Sequence, residues 1–228
     1  VIANSKGKVV ATLLEAENKL ADYQIGTTEI GTIKAKDGTT LYTRMIKPSN
    51  FDETKKYIDF ASQNGIKGLL VEGWNTGWDK WINIDDREGV FDFMTPYSDY
   101  DFDEVMRYSK EKGVEVIMHH ETSAAPRTYE KQMDVAYNFM KANGINSVKT
   151  GYVGKIIPKG EYHHGQWMVN HYQKVIDESA KKKIAVNAHE PIKDTGKRRT
   201  YPNEISREGN RGQEFNAWAK DGGNPPNH

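Results

Sequence analysis

The chain contains no cysteine, which excludes a disulfide framework, a thiolate metal site and a cysteine nucleophile. The redox compartment stays open, because secreted proteins can also lack the residue. Net charge is absent too: 32 basic residues balance 32 acidic ones across 228 positions. No overall field therefore draws the chain to nucleic acid or to an anionic membrane, and neither partner is expected. No apolar run approaches the ~20 residues needed to cross a bilayer, and the opening VIANSKGKVV lacks a signal-peptide pattern. Neither G-x-G-x-x-G nor a Walker phosphate loop follows any expected strand, and no G-x-S-x-G nucleophile elbow occurs.

What is present suffices for a core: 36% of residues are hydrophobic and 11% aromatic. Residues 1–56 read as a separate segment. Lys8 to Leu14 suits a strand, and EIGTIKAKDGTTLYTRMIKP reads as two short strands around an Asp37-Gly38 turn. From Tyr57 to His228 the pattern changes to amphipathic helices alternating with short apolar strands. The helices are expected at Tyr57–Asn64, Asp103–Lys112, Thr128–Asn143 and His164–Lys181. Gly65, Gly113 and Gly144 stand where a helix ends, and the Lys181–Lys183 run suits the negative end of the fourth. The strands are expected at Lys67–Val71, Val114–His119, Ser147–Thr150 and Lys183–Asn187. Helices alternating with buried strands imply an α/β fold with a parallel sheet, here a partial (β/α)8 TIM-type barrel of about four βα units preceded by a short β-hairpin segment.

In such a barrel the site forms where the strands end, and each strand here ends in ionisable residues. Glu72 follows the first strand; His119, His120 and Glu121 end the second; Lys149 lies in the third; His189 and Glu190 end the fourth. An irregular loop is then expected to deliver Glu208 and Glu214. Clustered carboxylates raise one another's pKa, so Glu190, Glu208 and Glu214 are either separate solvated side chains or a group neutralised by a cation or a shared proton. An all-oxygen set would suit Ca²⁺. Glu121 on one side and that cluster facing it on the other could supply the two carboxyl groups that glycoside hydrolysis needs. Trp74, Trp78 and Trp81 either stack on sugar rings or simply cover the rim. Tyr162, His163 and His164 make a further polar cluster without zinc-ligand spacing.

Two resemblances add to this reading. GTIKAKDGTTLYTRMIKPSNFDETKKY resembles the approach to the hydrolase domain in prolyl oligopeptidase family dipeptidyl peptidases, although no peptidase nucleophile follows. GLLVEGWNTGWDKW, FDFMTPYSDYD, VIMHHETSA, NSVKTGYVG, IAVNAHE and RTYPNEISREGNRGQE together resemble the catalytic barrel of glycoside hydrolase family 97. The latter resemblance implies an exo-acting, Ca²⁺-dependent α-glucosidase acting on oligosaccharides, or an α-galactosidase, in a periplasmic or secreted setting. It implies Glu214 as general acid, Glu121 and Glu190 as water-activating bases, and Glu190, Glu208 and Glu214 as calcium ligands. It further implies that Glu72, His119, Lys149 and His189 hold the non-reducing-end sugar. The family's retaining branch carries an aspartate at the end of the third strand, where this chain reads SVKTGYVG, so inversion is implied. An incomplete barrel leaves edge strands and an apolar face open, which predicts weak stability, self-association and impaired activity, or a module that only binds sugar.

Overall fold

The computed structural model describes residues 2–11, 27–34, 37–47, 52–80, 86–210, 212–217 and 219–224. The chain divides into two compact units, Val1–Glu53 and Thr54–His228. In the first, β1 (Ile2–Ala3) pairs with β2 (Val9–Ala11), and β3 (Thr27–Lys34) with β4 (Thr40–Lys47), both antiparallel. The expected turn is present: the Asp37 carboxylate accepts the Thr39 N–H at 2.9 Å. Residues 12–14 of the expected first strand lie outside the described residues.

After α1 (Asp52–Gln63), helices and strands alternate: β5 (Gly68–Leu70), α2 (Phe102–Lys112), β6 (Glu115–Glu121), α3 (Pro126–Ala142), β7 (Ser147–Gly151), α4 (Gln166–Lys181), β8 (Ala185–His189) and β9 (Glu204–Glu208). The strands form one parallel sheet in the order β5-β6-β7-β8-β9. This is the α/β architecture expected of part of a (β/α) barrel. Local chemistry sets the helix ends. Asp101 caps α2 by accepting the Glu104 N–H at 3.1 Å, and Gly113 closes the helix in the left-handed region at φ 69°. Pro126 opens α3, where a missing N–H costs nothing. No helix among the described residues is long and apolar enough to cross a membrane.

Alternation along the strands sends Val116, Met118, Val148 and Val186 to one face, buried with Val105, Met133, Met140 and Val175 from the helices. Each such side chain contributes about 1.5–3 kcal/mol by leaving water. His120 follows the same parity and faces this core, where its Nδ1 lies 3.0 Å from the Tyr129 hydroxyl. Burial pushes its pKa down to about 3, so the ring is neutral and structural.

The stretch after β8 departs from the expected irregular loop: Glu204–Glu208 is a fifth strand, so the sheet exceeds the four expected. Its sequence EISRE offers one apolar residue, and that residue, Ile205, is 60% exposed. An outer strand of this kind buries too little to produce a hydrophobic pattern. Backbone pairing to β8 holds it, and Asn203 anchors its start by donating to the Ile176 carbonyl and to Ser179 Oγ.

Candidate active site

The sheet register assembles the polar strand ends. His119, Lys149 and Asn187 stand side by side on β6, β7 and β8; two residues further along, Glu121 lies beside Gly151, and His189 beside Glu208. All occupy the parity opposite to the helix-covered face. Asn187 is absent from the sequence-based candidates, although its place two residues before His189 puts it on the same face.

Glu121 is 2% exposed. Its Oε1 accepts the backbone N–H of Ser123 at 2.6 Å and of Val153 at 3.1 Å. Burial, reinforced by the Glu190 charge, pushes its pKa up to about 8, and the two N–H bonds offset only part of that rise. The turn that aims the Ser123 N–H is strained, with Ser123 and Ala124 both left-handed at φ 51° and 55°. On the other side the room is taken by design of the backbone: a Cβ on Gly151 would lie 1.9 Å from Glu121 Oε2.

Glu190 is fixed by five partners. Its Oε2 accepts the Tyr152 N–H at 2.7 Å, and its own N–H donates to the Glu208 carbonyl at 3.0 Å. Its carbonyl accepts both the Tyr172 hydroxyl at 2.6 Å and the His163 Nε2–H at 2.7 Å. Its Oε1 lies 3.4 Å from His189 Nε2. These contacts hold a non-glycine residue at φ 45°, a conformation that costs about 1–2 kcal/mol.

The flanks are built differently. Glu72, just beyond β5, and Glu208, at the end of β9, both lie 3.2 Å from Lys149 Nζ, and both side chains are 53% exposed. Burial alone would raise Glu72, but the positive charges of His119 and Lys149 outweigh it and lower the pKa. Burial likewise works to lower Lys149, and hydrogen bonds to Glu208 and Glu72 reverse the sign. His119 is held down to about 4, mainly by burial, so at neutral pH Lys149 is the cation that Glu72 faces. Both ring nitrogens of His119, Asn187 Oδ1 and His189 Nδ1 have no hydrogen-bond partner among the described residues. Buried polar atoms left this way at a strand-end rim suit the hydroxyls of a bound ligand.

A cation fits part of the set. Ligand atoms of Glu121, His189 and Glu190 lie within 4.8 Å of one another, and Glu208 Oε1 is 3.5 Å from His189 Nε2. Glu214 lies apart from this group, exposed on the short 3-10 turn Gln213–Ala217. Of the three tryptophans, Trp74 is 2% exposed and donates its indole N–H to the His119 carbonyl at 2.8 Å, so it braces β6 and has no face free for a sugar. Trp78 packs against the His119 ring at 5.4 Å, and Trp81 lies outside the described residues. A separate cavity of about 1140 Å³ is lined by Asp86, Arg87, Glu88, Arg127 and the 154–163 stretch, and the strand-end carboxylates do not line it.

Comparison with known proteins agrees with this fold. The family model described as Glycoside hydrolase 97 matches residues 32–210, reaching from β3 to just past β9. A glycoside hydrolase family 97 enzyme from Pseudoalteromonas sp. strain K8, solved in complex with acarbose, is 49% identical, with a TM-score of 0.67 over 76% of this chain and 27% of that one. A variant of the same enzyme in complex with panose gives the same values. The retaining alpha-galactosidase of Bacteroides thetaiotaomicron is 27% identical over 80% of this chain and 24% of its own length. The chain thus spans about a quarter of the length of these relatives.

Proposed function

The chain belongs to glycoside hydrolase family 97, and from that premise we propose that its strand ends belong to an exo-acting, inverting, Ca²⁺-dependent α-glucosidase acting on oligosaccharides. The observation that carries the inverting reading is the end of β7. A retaining mechanism needs a carboxylate nucleophile. Here the strand ends in Lys149, Thr150 and Gly151, and Glu121 leaves no room for any side chain at Gly151.

In this mechanism Glu214 gives its proton to the glycosidic oxygen. Glu121 and Glu190, gathered at the ends of β6 and β8, take a proton from the water that attacks the anomeric carbon. The environment that raises Glu121 also makes its ionised form a stronger base than an ordinary carboxylate. Glu72, His119, Lys149 and His189 hold the sugar through charged and neutral donors and acceptors. Of the expected ligands, Glu190 lies in the group with Glu121 and His189, and Glu208 reaches His189, so these are the residues that would hold calcium. When bound, the ion supplies positive charge that keeps neighbouring carboxylates ionised.

Substrate choice follows the more similar relatives: acarbose and panose, the ligands of the 49% identical enzyme, are gluco-configured. The 27% identical retaining alpha-galactosidase supports a second reading, α-galactoside hydrolysis. The test is to follow aryl α-glucoside and aryl α-galactoside by proton NMR, with added Ca²⁺ and with chelator. Calcium-dependent turnover of the glucoside giving the β-anomer first is expected. The α-anomer first would mean retention, and preference for the galactoside would support the second reading. No turnover of either would leave a sugar-binding or assembly module.

A further inference from the structure

We propose that Glu130, His171 and Tyr152 form a positioning chain, running from the surface into the core, that aims two successive backbone amides at the two central carboxylates. The inference rests on the hydrolase reading and adds residues that touch neither substrate nor ion. Tyr152 follows β7 directly. Its N–H donates to Glu190 Oε2 at 2.7 Å, and the next N–H, that of Val153, donates to Glu121 Oε1 at 3.1 Å. One turn of backbone therefore sets both proposed bases at once.

What holds that turn is the Tyr152 side chain, 1% exposed, whose hydroxyl lies 2.8 Å from His171 Nε2. His171, 2% exposed on α4, places its other nitrogen 2.7 Å from Glu130 Oε1 on α3. The tautomer follows from the partners. A carboxylate only accepts, so Nδ1 carries the proton; burial keeps the ring neutral, so Nε2 accepts the tyrosine O–H. Lys174 holds the second Glu130 oxygen at 2.6 Å at the surface end. The adjacent Tyr172 reaches the Glu190 carbonyl, so two neighbouring residues of α4 govern both sides of Glu190. The polar chain passes through an otherwise apolar layer with Ala124, Ile156, Met168 and Ile192. An apolar residue would fill that layer without it.

The test uses the full chain and three variants. Tyr152→Phe removes only the hydroxyl, His171→Phe removes both hydrogen bonds, and His171→Gln keeps one donor and one acceptor. Amide hydrogen exchange at Tyr152 and Val153 is expected to quicken about tenfold in the two phenylalanine variants while β6 and β8 amides stay protected. In the same variants kcat per competent site, counted by titration with an iminosugar, falls about 100-fold with KM little changed. His171→Gln restores most of both. A purely structural role lowers the number of competent sites and leaves kcat per site intact. Unchanged exchange at both amides overturns the proposal, as does unchanged kcat per site in an active wild type. If the wild type turns over no glycoside while the exchange still quickens, the hydrolase reading falls and the positioning stands.

Discussion

Glu121 and Glu72 stand at the ends of adjacent parallel strands, yet the first is 2% exposed and the second has a side chain 53% exposed. Glu121 is met by the backbone N–H groups of Ser123 and Val153 and by a glycine whose missing side chain makes room for the carboxylate. Glu72 is met by one long, flexible lysine shared with Glu208. Backbone donors cannot swing away, so the central carboxylates are fixed before any ligand arrives. The flanking ones can reorganise around a sugar. The difference separates groups suited to moving protons from groups suited to holding substrate.

The severest way to break the contrast is Gly151→Ala. A methyl group 1.9 Å from Glu121 Oε2 must displace the carboxylate or the strand. Activity is expected to fall about 10³-fold, and urea unfolding should show a loss of about 1–3 kcal/mol. Activity within tenfold of wild type would mean the cage is looser than its geometry. Glu121→Gln comes next. It keeps the shape and removes the base, so kcat should fall about 10²–10⁴-fold while the urea midpoint stays equal or rises.

A pH series sharpens the same point at lower amplitude. Glu121 has its folded pKa raised from 4.5 to about 8, so the folded state keeps a proton that the unfolded chain has lost. Its contribution to stability is fully present below pH 4.5 and drains away as pH rises towards 8, by roughly a kcal/mol per pH unit. His119 and His120 act with the opposite sign. Their pKa values fall from 6.5 to about 4 and about 3, so stability is lost as pH drops below 6.5. The clean window for Glu121 is therefore pH 6.5–8, where wild type should weaken with rising pH and Glu121→Gln should not. Calcium should flatten the wild-type slope by favouring the ionised carboxylate, and a chelator should restore it. An identical slope in both proteins would refute the assignment.

The smallest effect belongs to the flank. Lys149→Met is expected to raise KM about tenfold, leave kcat within a few-fold, and change stability by less than about 1 kcal/mol because its partners are half exposed. A collapse of kcat instead would erase the distinction between centre and flank.

Much of this was readable before the fold was known, for identifiable reasons. Strands β6, β7 and β8 are covered by helices, so they carry apolar residues at the buried parity, and Gly113 and Gly144 punctuate the helices before two of them. Residue types at the strand ends named Glu72, His119, Glu121, Lys149, His189 and Glu190 as candidates. Strand β9 stayed hidden because an exposed outer strand needs backbone pairing more than burial. His120 looked as functional as His119, and only parity assigns one to the core and the other to the rim. Trp74 could not be told from a stacking platform until its indole N–H was seen tied to β6. Tyr152, His171 and Glu130 are scattered over three elements, and no short motif links them.

Lys149 also reports on the shape of the rim. It sits on β7, the middle strand, whereas Glu72 follows β5 and Glu208 ends β9, strands two places away on either side. In a flat sheet those neighbours lie about 10 Å from it in opposite directions. Both carboxylates nonetheless come within 3.2 Å of a single ammonium. The strand tips must therefore lean inwards towards the centre, and this one cation acts as a tie-rod across a concave lip. Removing it tests how much of that curvature the backbone maintains unaided.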